Sequence, residues 1–453
     1  MFNKYLLIVA IFCLQQLSVQ AQEMSLYFMN GIAQSNAVNP AFMPERKVVY
    51  SLPGISAGFS NSIGSYNNLI TRNSEGVKVL SGATLLDNSR GHNFIRQNLE
   101  INNFTTIFGK DRWRISVSQS IKQNAFFGYP KGLVELAVEG NGAHVGETLQ
   151  IGPDVDLNLY SETAVGFMMR VRNLTFGGRV KLLSGMANVS TSRTSAKVTT
   201  DEEYYQLSVA SDYQINAGGM FNVDGLVDDS SVEVNFEDED LSMASLFRSP
   251  NLGLDLGATM VILDDRLMLS ASLIDLGRIK WKNNAKNYTA KGEYDFTGVN
   301  LNDAIDEDSN PGDGLLDSLE NAFDFVESNN TYTTMLPTKL YLSARFKAHR
   351  FLTVGALAYM ENYRGEIYNG LAIDATTHIT KIIDFGITGS YVYRSPNLGA
   401  HLALKFGPLQ IVAASDNLLA VMNPKNHHHA TARFGINLAF GRKYSGDKPN
   451  PVE

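Results

Sequence analysis

Hydrophobic and polar residues alternate with a period of two along most of this chain. In residues 431–440 one face of an extended strand carries apolar side chains, while the other face carries small or polar ones. The same alternation recurs at residues 252–262, 340–347 and 383–393. A period of two predicts β-strands with one apolar face. Each run has roughly ten residues, the length that a tilted membrane-crossing strand requires.

The connections between these strands distinguish two kinds of all-β protein. A soluble sandwich and a membrane barrel both have strands with one apolar face, so alternation alone does not separate them. Six short turns alternate here with seven generally longer loops, an arrangement typical of bacterial outer-membrane barrels. Fourteen strands are predicted, near residues 48–59, 98–108, 112–125, 156–171, 174–187, 252–263, 266–283, 336–348, 351–361, 366–377, 382–393, 398–406, 409–420 and 431–440. The sequence therefore predicts an all-β fold, a transmembrane antiparallel β-barrel of about 14 strands with extracellular loop insertions.

The predicted barrel spans residues 48–440, with extracellular insertions at about 188–251 and 284–335. Within the first insertion, residues 188–216 are predicted to form a β-hairpin outside the membrane, because another crossing there would break the even strand count. Residues 441–453 are expected to form a periplasmic tail.

A periplasmic N-terminal segment is predicted at residues 22–47. Proline cannot donate to a strand ladder, so strand pairing should begin only after Pro44. Pro53-Gly54 predicts a bulge or a bend within the first strand rather than its end. The segment itself is moderately apolar, and it can either fill the lumen or pack under the barrel.

The first 21 residues have the features of a secretory signal peptide. Lys4 supplies a positive start, an apolar run follows at residues 5–14, and Val19-Gln20-Ala21 forms a small-residue cleavage site. The single cysteine, Cys13, lies inside this segment, so the mature chain is expected to have no disulfide. The protein is therefore expected to be exported and to reside in the cell outer membrane.

Composition and charge disfavour two further classes of protein, helical membrane proteins and nucleic-acid-binding proteins. Hydrophobic residues make up 44% of the chain, and after residue 21 no apolar run approaches the ~18 residues that a membrane-spanning helix needs. The formal net charge is −8, which disfavours nucleic-acid binding because such a partner requires a basic surface. Outer-membrane lipid is the expected surrounding of the barrel, and no nucleic-acid partner is expected.

Three stretches carry a resemblance to a known family. They are "YFMNGIAQSNAVNPAFMP" near the N-terminus, "NLGLDLGATMVILDDRLMLSASLIDLGRIKW" in the middle and "GPLQIVAASDNLLAVM" late in the chain. The chain resembles a Bacteroidota outer-membrane barrel family of unknown function, which is similar to the FadL-like fourteen-strand barrels and to the PorV and PorP/SprF barrels of type IX secretion. The resemblance covers essentially the whole mature chain. It implies the barrel fold, and its motifs carry no known catalytic residues.

Motifs for enzymatic chemistry are sparse. Ser415-Asp416-Asn417 matches the S-D-N element of serine β-lactamases, but the K-T-G element is absent from the sequence, and the one S-x-x-K match lies at residues 445–448 of the predicted tail. A chance tripeptide at the end of a barrel strand explains it better. No H-E-x-x-H motif occurs, and the one G-x-S-x-G match, at residues 54–58, lies within a predicted strand and not at a strand-to-helix turn. The chain is expected to be non-enzymatic and to need no cofactor.

Two stretches have weak metal-binding character. Asp306, Asp308, Asn310 and Asp317 occupy positions one, three, five and twelve of an EF-hand-like calcium loop, although Pro311 stands where that loop wants glycine. The competing interpretation is a solvated acidic loop before a short amphipathic helix, whose apolar positions are Leu315, Leu316, Leu319, Phe323 and Val326. His427-His428-His429 has no obvious further ligands nearby, which disfavours a metal site there.

If the apolar faces meet lipid, the opposite faces line the lumen. The charged residues predicted to point inward are Glu162, Arg170, Arg179, Lys181, Asp255, Arg345, Lys347, Asp384, Lys405 and Arg433. Both signs are present, so one interpretation is a salt-bridged, largely filled interior. The other is a polar conduit whose basic groups favour anions.

Two functions remain open on the sequence alone. The first hypothesis is a scaffold for secretion or surface assembly, binding protein partners through its extracellular loops. The alternative is a FadL-like transporter or channel for small, hydrophobic molecules. An N-terminal segment threaded into the lumen would favour transport, because a gated pore needs a plug.

Overall fold

A computed structural model describes residues 24–224, 233–236, 250–296, 323–392 and 395–443 of the chain. The predicted signal peptide and most of the predicted C-terminal tail lie outside the described residues. Strands dominate the described part. Its helices are short, and none of the described ones has the length and apolar character needed to cross a membrane.

The elements of the described residues are as follows in chain order. The strands are β1 (Arg46–Ser51), β2 (Gly54–Asn61), β3 (Ile70–Arg72), β4 (Lys78–Leu80), β5 (His92–Gly109), β6 (Trp113–Pro130), β7 (Thr148–Gln150), β8 (Asp154–Val171), β9 (Leu174–Thr200), β10 (Leu207–Gly219), β11 (Phe221–Asp224), β12 (Glu233–Phe236), β13 (Asn251–Ile262), β14 (Leu267–Trp281), β15 (Lys286–Phe296), β16 (Phe323–Ser328), β17 (Tyr332–Met335), β18 (Thr338–His349), β19 (Leu352–Tyr363), β20 (Glu366–His378), β21 (Ile383–Val392), β22 (Ser395–Phe406), β23 (Leu409–Ser415) and β24 (His429–Lys443). The helices are α1 (Met24–Tyr27), α2 (Tyr66–Leu69), α3 (Gly82–Asn88), α4 (Lys131–Glu139) and α5 (Leu418–Met422). Three short 3-10 helices lie at Ala33–Ala37, Asn141–Ala143 and Pro424–Asn426.

Fourteen antiparallel strands close into a barrel within the described residues. β1 and β2 together form the first barrel strand, and the others are β5, β6, β8, β9, β13, β14 and β18 to β24. Each barrel strand pairs with its neighbours in chain order. The ring closes at β1, where Val48 lies opposite Phe108 of β5 on one side and Phe440 of β24 on the other. The predicted fold class, an antiparallel barrel of 14 strands, is confirmed.

The first barrel strand has the predicted interruption. Pairing begins at Arg46, beyond Pro44, and β1 ends at Ser51 while β2 starts at Gly54. Both halves pair with β24, and the N–H of Leu52 still donates to the carbonyl of Ile436. Pro53 cannot donate to the ladder, so the strand bends there and resumes.

The outer face of the barrel is apolar. Val165 and Phe167 of β8 are 54% and 51% exposed, and Leu371 and Ile373 of β20 are 65% and 69% exposed. Their chain neighbours at the alternate positions point into the barrel and are buried. Large apolar side chains in continuous exposed rows are rare on soluble proteins, so this surface belongs in a membrane.

The two ends of the barrel differ. At one end, tight turns join neighbouring strands, and we call it the short-turn end. An example is the Arg172-Asn173 turn, in which Arg172 has φ of 55°. Left-handed residues in two-residue hairpins match the twist of the strands they join. At the opposite, long-loop end lie most of the helices and the long connections. β1 starts and β24 ends at the short-turn end.

A five-stranded sheet of β7, β9, β10, β15 and β16 continues one side of the barrel beyond the ring. Residues 188–200 of β9 pair with β10, so the predicted hairpin is present, and β10 pairs in turn with β15 and β15 with β16. We call residues 188–200 with β7, β10, β15 and β16 the extension sheet. The tip of its hairpin exposes Tyr204 and Tyr205, at 76% and 66%.

The prediction of an amphipathic helix near residues 315–326 is wrong for the C-terminal end of that range. Phe323 and Val326 belong to β16, which pairs with β15, because the neighbouring ladder satisfies backbone groups that a single helical turn would leave open. The rest of that predicted helix and the calcium-loop candidates Asp306, Asp308, Asn310 and Asp317 lie outside the described residues.

The N-terminal segment lies inside the barrel. The sequence predicts a periplasmic segment that either fills the lumen or packs beneath the barrel. Residues 24–45 fill the lumen, so their assignment to the periplasm is corrected. Tyr27, Phe28 and Val38 are at most 1% exposed and pack against inward-facing residues of the wall. These apolar side chains leave water by entering the lumen, since the inner wall also has apolar residues to receive them.

Candidate functional site in the barrel lumen

Residues 24–45, named here the plug, fill the lumen with apolar side chains. The plug has one turn of helix, α1, and a 3-10 turn at Ala33–Ala37, joined by irregular chain. Most of its apolar side chains share one cluster with inward-facing wall residues of β14 and β18 to β23, while Ala33 and Met43 pack against Val49, Ile107, Met168 and Ala439. The wall members of that cluster are Ile274, Tyr341, Leu357, Tyr359, Ala372, Val392, Ala403 and Val412. We call this side of the inner wall the apolar sector.

Tyr27 is the centre of this packing. Its ring stacks on Tyr341 of the wall, with centroids 5.0 Å apart, and meets the edge of Phe42 at the same distance. Its hydroxyl accepts a hydrogen bond from Asn39 at 3.0 Å and lies 3.4 Å from the hydroxyl of Ser272. Because both the ring and the hydroxyl of buried Tyr27 have partners, Tyr27 fixes the orientation of the plug.

The plug is hydrogen-bonded to the wall through side chains. Asp416 at the end of β23 accepts the N–H groups of Met24 and Ser25, at 3.2 and 2.7 Å, and so satisfies orphan donors of α1. Gln34 exchanges hydrogen bonds with Asn437 of β24, at 2.7 and 2.9 Å. The S-D-N tripeptide lies at the end of a barrel strand, as predicted, and its aspartate supplies a plug contact.

Two glycines of the wall bring the plug backbone close. A Cβ built on Gly177 of β9 would lie 2.1 Å from the carbonyl oxygen of Pro40, and one on Gly257 of β13 would lie 2.1 Å from Oδ1 of Asn39. Any side chain at these inward positions would occupy the place of the Asn39-Pro40 turn. Glycine is therefore required there by close approach.

Replacing Gly177 by valine is expected to loosen the plug. Overpacking costs about 1–3 kcal/mol, and about 1.4 kcal/mol is tenfold in an equilibrium. A cysteine introduced at buried Ala41 should therefore react with a maleimide about tenfold faster in the Gly177→Val background. Gly142→Val is the matched control, because a Cβ on Gly142 would meet nothing within 4 Å. Equal labelling rates in both backgrounds would contradict the close contact.

The inner wall beside the apolar sector carries a buried charge network on β8, β9, β13 and β14. Lys181 is fully buried, and its ammonium lies 2.5 Å from Asp275, 2.8 Å from Asp255 and 3.3 Å from Glu162. Arg179 pairs with Asp255 at 2.6 Å and also donates to the carbonyl of Asn36 in the plug at 3.3 Å. The structure thus brings four of the predicted lumen residues into one network.

Three members of the network were not predicted from the sequence. They are Asp275, which pairs with Lys181, Lys122, which pairs with Glu162, and Lys339, which pairs with Asp275. Asp275 has φ of 62°, at a bulge where β14 shifts register against β13, and its N–H donates to Asp255 at 2.8 Å. The bulge turns both Ile274 and Asp275 inward, whereas strict alternation assigns Asp275 to the lipid face. The signal in the sequence is the loss of alternation at Ile274-Asp275.

The remaining predicted lumen residues are more scattered. Lys405 pairs with Asp384 and with Glu45 of the plug, both at 2.7 Å, and Arg345 donates to Asn30 of the plug at 2.6 Å. Three others lie elsewhere in the barrel. Arg433 pairs with Glu100 at 3.1 Å, half-buried Arg170 lies 3.4 Å from the hydroxyl of Thr175, and Lys347 is exposed near the short-turn end.

A second group of side chains crosses the lumen near the long-loop end. Arg96 of β5 and Glu361 of β19 form a buried bidentate pair, at 2.7 and 2.8 Å, between barrel strands that are seven apart in the ring. Tyr363 stacks under the Arg96 guanidinium at 4.7 Å and donates to Asp156 of β8 at 2.7 Å. We call Arg96, Asp156, Glu361 and Tyr363 the cross-lumen cluster. Sequence reasoning placed Arg96 in a loop and did not pair it.

Two small cavities lie between the plug and the wall in the described part of the lumen. A cavity of about 60 Å³ lies between the plug and the group of Arg345, Asp384 and Lys405, and one of about 20 Å³ lies beside Glu162 and Arg179. A single water needs roughly 10–15 Å³ by this measure. Both of these cavities are small, so the plugged barrel fits the predicted filled interior better than an open anion conduit.

Metal-binding geometry does not emerge among the described residues. No group of three or more His, Cys, Asp or Glu side chains there is arranged to hold a metal ion. This includes the described histidines of the His427-His428-His429 run.

Comparisons with known proteins show a family and distant structural likenesses. The family DUF5723, described as a family of unknown function, matches residues 40–416. The Ralstonia pickettii toluene transporter TbuX is 9% identical, with 91% of this chain and 95% of that chain covered and a TM-score of 0.46. A Pseudomonas aeruginosa FadL homologue is 11% identical over 91% and 95% of the two chains, with a TM-score of 0.41. No match was found among the curated proteins. Likenesses this distant leave the function to be inferred from the lumen itself.

Proposed function

The chain belongs to DUF5723, a family of unknown function, and we propose that it is a gated outer-membrane transporter for small, apolar molecules. The observation that carries the proposal is the plug, which fills the lumen with apolar side chains against an apolar sector of wall. If the plug moves, the apolar side chains of that sector become a surface on which an apolar molecule can bind, between charged groups of the same strands such as Arg345 and Lys405.

The attachment of the plug favours movement over permanent filling. Within the described residues, the plug forms no strand, and its backbone-to-backbone hydrogen bonds stay inside the plug. Side-chain contacts such as Asp416 to Ser25 and Gln34 to Asn437 hold it instead. It can therefore leave the wall without breaking any barrel ladder, whose many backbone bonds would resist opening together.

The proposed orientation follows from the connections. Bacterial barrels place short turns in the periplasm and long loops outside. The plug joins β1 at the short-turn end, so it would enter the lumen from the periplasm and reach upward to Asp416. Export by the predicted signal peptide at residues 1–21 belongs to the same proposal.

Tying the plug to the wall is expected to abolish transport. Gln34 and Gly435 are suited to this, because a Cβ on Gly435 would lie 2.6 Å from the Gln34 amide nitrogen. The double variant Gln34→Cys/Gly435→Cys is joined in cells that produce the full chain by a short bis-methanethiosulfonate, which forms a disulfide with each thiol, releases sulfinate, and is removed again by reduction. Uptake of an apolar naphthylamine dye, which fluoresces in lipid, is then compared with cells lacking the protein.

The control pair is Leu371→Cys/Tyr391→Cys, on two neighbouring strands of the lipid face. We expect the joined plug to reduce dye uptake to the background and a reducing agent to restore it, while the joined control pair has no effect. Dye uptake that stays unchanged after the plug is joined to the wall would refute gating by residues 24–45. No protein-dependent uptake in any variant would refute the transport function.

A scaffold is the second candidate, and the extension sheet favours it. The sheet stands outside the barrel ring and ends in a hairpin tip with two exposed tyrosines, Tyr204 and Tyr205, as a partner-binding element would. Purification in mild detergent followed by mass spectrometry separates the candidates. A stoichiometric protein partner without dye uptake would support the scaffold.

A further inference from the structure

The short-turn end of the barrel is basic, although the chain as a whole is acidic. The whole chain has 38 Lys and Arg residues against 46 Asp and Glu residues. The short turns between barrel strands reverse this balance. Their basic residues, all exposed, are Lys110, Arg112, Arg172, Arg266, Arg350 and Lys381, whereas their acidic residues are Asp111, Asp264 and Asp265. The excess of positive charge is therefore local to one end of the barrel.

The apolar outer face of the barrel continues down to these turns. Ile379 and Ile382, within the turn between β20 and β21, are 55% and 42% exposed, and Phe406 at the end of β22 is 50% exposed. Exposed apolar side chains on a barrel wall mark the band that faces lipid. Because this band reaches the turns, the basic side chains of the turns lie at the depth of the lipid headgroups.

Two arginines of the short turns stack on exposed aromatic rings. The guanidinium carbon of Arg350 lies 4.4 Å from the ring centre of Phe351, and that of Arg266 lies 5.4 Å from the ring centre of Phe346. Both rings are exposed, and Phe346 follows inward-facing Arg345, so it points towards lipid. A guanidinium over the face of an aromatic ring gains cation–π attraction. The stacking therefore places Arg266 on the lipid side of the wall.

The turns that carry these two arginines lie side by side. β14 pairs with β18, and at the end of that ladder the N–H of Lys347 donates to the carbonyl of Arg266 at 2.8 Å. The turn after β18 contains both the second arginine and its aromatic partner. We call Arg266, Phe346, Arg350 and Phe351 the rim patch.

The two guanidinium groups of the rim patch have no acidic partner among the described residues. Neither Arg266 nor Arg350 forms an ion pair or a side-chain hydrogen bond there. Asp264 and Asp265 stand in the same turn as Arg266 but do not pair with it, and exposed Lys347 adds a further cation nearby. A guanidinium presents a planar fork of N–H donors that matches the oxygens of a phosphate. The rim patch thus offers two such forks at headgroup depth.

The aromatic rings favour a lipid over a soluble anion or an acidic protein as the partner of this patch. A soluble anion needs only the positive charges. The rings of Phe346 and Phe351 continue the apolar band of the wall, so hydrocarbon already lies against them. A partner with a phosphate above and acyl chains below satisfies the arginines and the rings together.

We propose that the rim patch binds the phosphate headgroup of an anionic phospholipid in the leaflet at the short-turn end. The guanidinium groups of Arg266 and Arg350 donate to the phosphate oxygens, while the two rings pack against the upper part of the acyl chains. An anionic lipid binds better than a zwitterionic one, because a zwitterionic headgroup brings its own cation beside the arginines. In the proposed orientation this leaflet is the periplasmic one. The site does not depend on the proposed transport function.

The test measures lipid binding by the full chain purified in mild detergent. Phosphatidylglycerol, which is anionic, and phosphatidylcholine, which is zwitterionic, are titrated in turn, and native mass spectrometry counts the bound lipids. The variant is Arg266→Gln/Arg350→Gln. The matched control is Arg112→Gln/Arg172→Gln, which removes the same charge from two other neighbouring turns of the same end. A faster-migrating unheated band on a gel identifies variants that have folded.

We expect the unmodified chain to bind phosphatidylglycerol more tightly than phosphatidylcholine. Arg266→Gln/Arg350→Gln should weaken phosphatidylglycerol binding by about tenfold, whereas the control pair should change it by no more than about twofold. Phe346→Leu/Phe351→Leu should also weaken it, since leucine keeps the apolar surface but loses the ring that holds each guanidinium. If Arg266→Gln/Arg350→Gln does not fold, Arg350→Gln is compared with Arg172→Gln, with the same direction expected.

Three results would overturn the proposal. An equal loss in the two arginine pairs would mean that the rim attracts anionic lipid only diffusely. Displacement of the lipid by inorganic phosphate at the same concentration would mean that a soluble anion is sufficient. An acidic protein that co-purifies through Arg266 and Arg350, with no preference for phosphatidylglycerol, would identify a protein partner instead. Because the assay involves no transport, each result is separate from the outcome of the dye-uptake experiment.

Discussion

Removal of two closures together is expected to turn the barrel into an open ion channel, whereas removal of either one is not. The first closure is the plug, removed by deleting residues 24–42. The second is the cross-lumen cluster, removed by Arg96→Ser, Glu361→Ser and Tyr363→Ser together. Both partners of the Arg96–Glu361 pair are replaced, because one buried charge left alone would destabilise the wall.

The physical reason is that the two closures lie in series. The plug fills the middle of the lumen and the short-turn side, whereas the cluster bridges opposite strands nearer the long-loop end. The narrowest part of a pore limits ion flow, so either closure by itself keeps the current small. With both removed, conductance in planar bilayers should exceed that of either single change by at least about tenfold.

Lys47→Ala/Asp111→Ala serves as the control for this measurement, since that ion pair is exposed at the rim, at 38% and 52%. Its conductance should equal that of the unmodified chain. Full conductance from the plug deletion alone would show that the cross-lumen cluster does not close the axis.

Replacing Lys181 by methionine is expected to destabilise the barrel by about 3–5 kcal/mol, the cost of breaking a buried ion network from one side. The ammonium of Lys181 lies within 3.3 Å of three buried carboxylates, from Glu162, Asp255 and Asp275. Without it, these carboxylates lose their shared cation while staying out of water. Urea unfolding in detergent micelles measures the loss, with the fluorescence of buried Trp281 as the signal.

A second substitution distinguishes charge from packing. Lys181→Met/Asp275→Asn removes one carboxylate as well as the cation, so it should be less destabilised than Lys181→Met alone. Lys47→Ala at the exposed rim should change the free energy of unfolding by only about 0–1 kcal/mol. If the double variant is as unstable as the single one, the cost arises from lost packing and the electrostatic account is wrong.

Much of the wall was predictable because its causes are local. Alternation along a strand depends on which face each residue presents, and adjacent residues reveal it without knowledge of distant partners. The count of 14 strands followed from short turns such as Arg172-Asn173, which form between neighbours in sequence. The break at Pro53 was equally local, because proline lacks the N–H that a ladder needs.

Local exceptions to these rules were not predicted. The bulge at Asp275 reverses the alternation, and β23 ends at Ser415 instead of continuing to residue 420. Both follow from contacts with distant residues. Lys181 draws Asp275 inward, and the plug with β24 holds Asp416 where a further ladder residue was expected.

The sequence alone determined that this chain is a fourteen-strand barrel with an apolar outer face and charged residues on the inner one. Only the tertiary structure decided what fills the lumen. The pairs that close it join residues far apart in the chain, such as Arg96 with Glu361 and Ser25 with Asp416. A residue's partner across a closed barrel depends on how the whole ring curves and staggers, and no short stretch of sequence contains that information.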